Sequence, residues 1–169
     1  MKRDSNGMNN SWVIFILLLV LIFLPGIVSA ESPLVIRPQV GYGYNDSSGS
    51  QNSGNLNHVG MRLLLNTGGN KRYGLEATEF NPENGGGFYS LGIVLEQRLW
   101  NWFNMSIGTV GYFDYVASSG NPVGLMTNLG WEPNSCHTFK PFITYRSDLI
   151  FGENVDVLYS LSAGLSFEL

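Results

Sequence analysis

The chain has 169 residues, of which 13% are charged and 13% aromatic, with 21 glycines, one cysteine and a formal net charge of -4. Charge is about half as frequent as the roughly 25% usual in soluble domains, and glycine is well above its usual share of about 7%. The acidic balance argues against a nucleic-acid binder, the aromatic content against a disordered tail, and the single cysteine against a disulfide scaffold.

Lys2 and Arg3 open the chain, and Val13 to Leu24 is unbroken apolar sequence. Pro25-Gly26 then breaks the helix, and Val28-Ser29-Ala30 supplies the small residues of a cleavage site. This pattern predicts a secretory signal peptide over residues 1–30, cut after Ala30, with residues 31–169 as the mature domain. The alternative is an uncleaved anchor over Trp12 to Ala30, which is near the minimum length for a span and is interrupted by Pro-Gly. No cysteine follows the apolar run, so no lipid-modified N-terminus is expected. No later stretch can cross a bilayer as a helix, so a membrane form must use strands.

The rest of the chain alternates apolar and polar residues with period two, the mark of strands with unlike faces. Eight segments follow in order: Leu34 to Tyr44, Leu56 to Leu65, Arg72 to Phe80, Phe88 to Leu99, Phe103 to Tyr115, Val123 to Trp131, Phe139 to Phe151, and Val157 to Leu169. Between them lie runs rich in Gly, Asn, Pro and Ser at 45–55, 66–71, 81–87, 117–122 and 152–156, the residues that supply turn geometry. The sequence predicts an all-β fold, a closed eight-stranded antiparallel up-and-down barrel.

Alternation alone does not say which face is inside. Three features place the apolar face outward, in lipid. The apolar parity is free of charge through the core stretches, its weakest members being Thr109, Gly111 and Thr127. The other parity is rich in glycine and serine, and beyond residue 30 the only lysines are Lys71 and Lys140. A narrow lumen needs small side chains, whereas a solvated wall would use many lysines. Finally, the apolar-face aromatics gather at segment ends. Tyr73, Phe103, Trp131, Phe139 and Phe167 form one set, and Tyr44, Tyr89, Tyr115, Phe151 and Tyr159 the other. Two such sets match the interfacial girdles of a membrane barrel.

With these features the chain resembles the small eight-stranded outer-membrane β-barrels of Gram-negative bacteria, of the OmpA and OmpX type. The resemblance is architectural and covers residues 31–169. It implies a bacterial outer-membrane location, contact with outer-membrane lipids and lipopolysaccharide, and a terminal strand, Tyr159 to Leu169, read by the barrel-assembly machinery. Many relatives end in an aromatic residue; here Leu169 is last and Phe167 stands two before it.

The inward parity carries Arg37, Arg62, Arg98, Lys140 and Arg146 against Glu76, Glu96, Asp114, Asp148 and Glu168, equal in number. Charge in a low-dielectric tube is costly unless paired, so this balance predicts interlocking ion pairs. They could line an ion path or form a packed polar core. An eight-stranded interior is just wide enough for side chains to fill, which favours the packed core and excludes a wide pore.

An enzymatic reading competes. Some small outer-membrane barrels hydrolyse or transfer lipid acyl groups with Ser, His and an acid. His58, Ser90, Asp114, Asp148 and Ser160 all fall on the inward parity near one end. A Ser–His–acid set activates a hydroxyl for acyl transfer, but no motif orders these residues. Pro38 and Pro141 lie on the lipid-facing parity, where a missing ladder donor predicts a bulge near the rim or a lateral gap for lipid. Cys136-His137 is too small a set for a metal site. No cofactor or metal is expected. The sequence therefore favours a monomeric, non-catalytic barrel with a plugged polar lumen. Its role would be structural or in surface interaction, with loops 45–55, 81–87, 116–122 and 152–156 meeting any extracellular partner. An outer-leaflet lipid-modifying enzyme and a narrow small-solute channel are the alternatives.

Overall fold

The computed structural model describes residues 34–47, 53–67, 69–115, 120–133 and 139–169. The leader, 1–30, and Cys136-His137 lie outside these residues, as do parts of loops 45–55 and 116–122. Eight strands run in chain order: β1 (Leu34–Asp46), β2 (Gly54–Asn66), β3 (Lys71–Pro82), β4 (Phe88–Arg98), β5 (Phe103–Phe113), β6 (Val123–Trp131), β7 (Phe139–Phe151) and β8 (Val155–Glu168). Each pairs antiparallel with its sequence neighbour, and β1 pairs with β8 to close the barrel. Both chain ends of the barrel lie at one rim, here the terminal rim; the opposite one is the loop rim.

The register fixes the geometry. From Val40 the cross-strand partners run through Val59, Glu79 and Tyr89 to Phe113 on β5. The other way they run through Ala163, Ile143 and Trp131 to Phe103, also on β5. The difference, 113 − 103, is the ten-residue stagger of the closed sheet. Such a shear tilts the strands by about 40° and leaves a bore that side chains can fill.

Burial is inverted relative to a soluble protein. Leu161 is 59% exposed and Leu129 51%, whereas Arg37, Arg62 and Arg146 head the largest fully buried side chains. That inversion is what a barrel with lipid outside requires. The inner glycines make room for neighbours. A Cβ on Gly41 would meet the His58 ring, one on Gly130 the Asn104 amide, and one on Gly164 the Phe142 ring. Small residues on the inward parity thus let larger neighbours lie across them.

Some details differ from the sequence pattern. Tyr115 does not join the outward girdle, and Asp114 does not enter the lumen. Asp114 adopts φ 60, which ends the alternation of β5, leaves Asp114 exposed and turns Tyr115 inward to full burial. Aspartate is among the few residues that tolerate this left-handed conformation. Tyr115 accepts a hydrogen bond from Asn45 Nδ2 (3.0 Å) and donates one to Asp156 Oδ2 (2.9 Å). Burial chiefly, and the Asp156 carboxylate, push its hydroxyl pKa up against the Asn45 contact, so it stays a protonated donor. The outward parity of β3 also runs past Ala77 to a charge, Glu79. The prolines make no bulge. The β1–β8 register continues on both sides of Pro38, and Pro141 keeps its partner Leu165. Leu34 accepts from Leu169, so alternate residues of β1 aim at β8, and the donor missing at Pro38 is lost from the closing seam.

Two substitutions test this packing by urea titration of the folded barrel in lipid vesicles. Gly164→Val should destabilise by about 1–3 kcal/mol or prevent folding, the cost of overpacking. Tyr115→Phe should cost about 1–3 kcal/mol, because Asp156 loses its donor in a buried site, whereas Tyr44→Phe on the outer face should change stability little.

Candidate functional site

The inner wall carries the chain's chemistry, and it is layered. Toward the terminal rim lies one ion-pair network. Arg37 reaches across the tube from β1, with Nη1 2.6 Å from Glu96 and Nη2 on Glu132. Its Nε donates to Ser166 Oγ (3.1 Å), and its guanidinium lies 5.5 Å from the Phe142 ring centre. Arg72 faces Glu96 across the β3–β4 ladder and bridges it at 3.1 Å, then reaches Glu168 on β8, also at 3.1 Å. Lys140 pairs with Glu168 at 3.0 Å, and Arg98 stands 3.7 Å from Glu132.

The second network sits in the middle of the barrel. Glu76 takes Arg62 from the neighbouring strand and Arg146 from across the lumen. Arg146 also grips Asp148, with Nε 2.9 and 2.8 Å from its two oxygens and Nη2 2.6 Å from Oδ2. Tyr112 donates to the same carboxylate at 2.5 Å, and Arg146 lies 5.2 Å from the centre of the Phe80 ring. Arg37 and Arg62 are direct cross-strand partners, a repulsive placement. It is relieved because each arginine engages carboxylates of a different network.

Toward the loop rim the lumen turns apolar. Phe80 stacks on Phe88 with ring centres 4.8 Å apart, and Phe88 meets Tyr115 edge-on at 5.0 Å. Tyr112 adds a tilted contact to both Phe88 and Tyr115. Leu56, Ile150 and Leu158, fully buried, complete this stratum.

Of the lumen residues read from sequence, Arg37, Arg62, Glu76, Glu96, Arg98, Lys140, Arg146, Asp148 and Glu168 line the interior in these two networks, and Asp114 does not. Arg72 and Glu132 belong to the first network but were not among them. Both stand at segment ends, where alternation gives the weakest signal. Glu132 follows the last residue of β6 and keeps inward parity because its amide bonds to the Trp102 carbonyl at 2.8 Å. The aromatic stratum also went unread, since Phe80, Phe88 and Tyr112 interrupt the small-residue character of the inward parity.

The five catalytic candidates do not assemble. His58 Nε2 lies 3.2 Å from Ser162 Oγ, not from Ser90 or Ser160. Among the described residues the hydroxyls of Ser90 and Ser160 have no hydrogen-bond partner. Asp148 is occupied by Arg146 and Tyr112, and Asp114 is outside. His58 packs beneath Phe80, ring centres 5.5 Å apart. Among the described residues no group of three or more His, Cys, Asp and Glu could hold a metal ion. The girdle residues Tyr44, Tyr89, Phe103, Trp131, Phe139, Phe151 and Tyr159 are exposed on the outer face; Tyr73 and Phe167 face the same way, half-buried.

No family model matches the chain, and no curated protein does. Solved structures do. Neisserial surface protein A superposes with a TM-score of 0.62 at 14% identity, over 80% of this chain and 97% of that one. A de novo designed transmembrane β-barrel gives 0.51 at 10% identity, over 84% and 99%. Ail, the attachment invasion locus protein of Yersinia pestis, gives 0.50 at 14% identity, over 81% and 99%. At such identities the likeness is one of fold, and the fold is that of the small eight-stranded bacterial outer-membrane barrels.

Proposed function

We propose that this chain is a monomeric, non-catalytic outer-membrane barrel, closed to solutes, that serves envelope integrity or surface interaction. The observation that carries the reading is the layered filling of the lumen. Ion pairs crossing from β1 to β4, from β7 to β3 and from β3 to β8 tie opposite walls together. Above them the aromatic stratum closes the loop rim. A solute would have to break several buried charge pairs and displace stacked rings. A lipid carbonyl would have to pass the same rings to reach His58. In this reading residues 1–30 are a cleaved leader, the outward band meets outer-membrane lipids and lipopolysaccharide, and the terminal strand engages the barrel-assembly machinery. The contacts left to the protein are the loops of the loop rim, 45–55, 81–87, 116–122 and 152–156. Among barrels of this fold, Ail bears an attachment protein's name, which is in keeping with a surface role.

Planar-bilayer recording separates this from a channel: the purified barrel should give no unitary conductance. Mass spectrometry of lipid A from cells with and without the protein separates it from a lipid-modifying enzyme. The acyl pattern should be the same in both, and a change abolished by His58→Ala would overturn the proposal. The plug itself is tested by Arg146→Met, which leaves Asp148 with no cation and only the Tyr112 hydroxyl, leaves Glu76 to Arg62 alone, and should cost about 3–5 kcal/mol in urea unfolding. Replacing Arg146 and Asp148 together with apolar residues of similar volume should recover much of that loss.

A further inference from the structure

The outer face breaks its own rule at one place. Glu79 lies on the outward parity of β3, between Val59 on β2 and Tyr89 on β4. The other charged residues of outward parity in the strands, Asp46 and Lys71, stand at strand ends. Glu79 is half-buried, and among the described residues no lysine, arginine or histidine forms an ion pair with it. A carboxylate facing lipid is costly in proportion to its depth, so this position calls for a cation from outside the chain.

The surface around Glu79 has the shape to supply one on a lipid. A groove of about 520 Å³ runs down the outer wall from Glu79 past Tyr89 and Phe113 to Met61, Ala77 and Leu91. Ala77, opposite Leu91 and Met61, leaves the groove open between them. Tyr89 is the direct cross-strand partner of Glu79, so its ring flanks the carboxylate on one side, and Phe113, one strand further on, lines the groove with its ring over Gly111. A carboxylate beside aromatic rings recognises an alkylammonium, by ion pairing and by cation–π attraction. It repels a phosphate that carries no cation. The apolar floor below suits an acyl chain.

We propose that Glu79 and the groove beneath it bind one membrane lipid whose headgroup ends in a primary ammonium. The ammonium sits between the Glu79 carboxylate and the ring of Tyr89. One acyl chain lies along Met61, Ala77 and Leu91. The proposal rests on the reading of this chain as a membrane barrel, and its test keeps the two apart.

The protein extracted from membranes is exchanged into micelles containing equal amounts of phosphatidylethanolamine and phosphatidylglycerol with identical acyl chains. Lipid retained by the barrel is then read by native mass spectrometry. The wild type should retain phosphatidylethanolamine roughly fivefold over phosphatidylglycerol. Glu79→Gln should remove the preference without changing the heat-modifiable migration of the folded barrel, and Ala77→Leu should lower retention of both lipids by filling the groove. Equal retention by the wild type, or a preference for phosphatidylglycerol, overturns the proposal, as does a preference that survives Glu79→Gln. A dimer lost in Glu79→Gln also overturns it, in favour of a second copy's cation as the occupant. If the protein neither inserts into vesicles nor shows heat-modifiable migration, it is the barrel reading that falls.

Discussion

Everything in this molecule depends on the narrowness of an eight-stranded tube. With this strand number and a ten-residue stagger, the bore holds side chains and little else. Inward side chains therefore meet others from across the lumen, where most inward charges find a counter-charge and Asp156 finds the Tyr115 hydroxyl. The result is a core built of salt bridges, in which arginines are the most deeply buried large residues. In a soluble domain such pairs contribute little net stability, because an apolar pair of equal volume does as well. Here they join strands that share no ladder. Arg146 on β7 and Glu76 on β3 are far apart around the sheet, yet they are held together across its centre.

Aromatic packing and ion pairing occupy separate levels of the lumen. The two ion-pair networks occupy the terminal rim and the middle, while Phe80, Phe88, Tyr112 and Tyr115 pack together toward the loop rim. Tyr112 links the two: its ring is part of the aromatic stratum and its hydroxyl donates to Asp148. His58 lies below the rings, its own ring centre 5.5 Å from that of Phe80. A hydroxyl and an imidazole in contact, such as Ser162 and His58, make a catalytic pair only if substrate can approach and an acid orients the ring. Among the described residues no acid is bonded to the His58 ring, whose Nδ1 has no hydrogen-bond partner.

The period-two pattern made most of this legible before any coordinates. Parity assigns a face to each residue of a strand, and the stagger of the closed sheet changes levels but never faces. That is why nine of the ten lumen charges read from sequence line the interior. What alternation cannot carry is the point where it stops. One residue at positive φ, Asp114, exchanges the faces of itself and Tyr115. Arg72 and Glu132 sit where strand gives way to turn, and their direction depends on backbone bonds that no periodicity encodes. The glycines were legible as signs of a narrow bore, but not the specific neighbours that occupy their space.

The same logic explains why Glu79 stands apart. Most charges on the inner wall of this barrel are answered by ion pairs, since the tube brings counter-charges from several sides. A charge on the outer wall has neighbours only along the sheet, and those beside Glu79 are Val59 and Tyr89. Among the described residues no cation forms an ion pair with it, and the arginines of the lumen are held in their own networks. In the proposed reading its complement comes from the bilayer. Of the headgroup charges a bilayer offers, the carboxylate with the aromatic flank of Tyr89 favours the cationic one. The charges of the inner face are thus answered largely by the protein itself, whereas the outer carboxylate is answered by what surrounds the barrel.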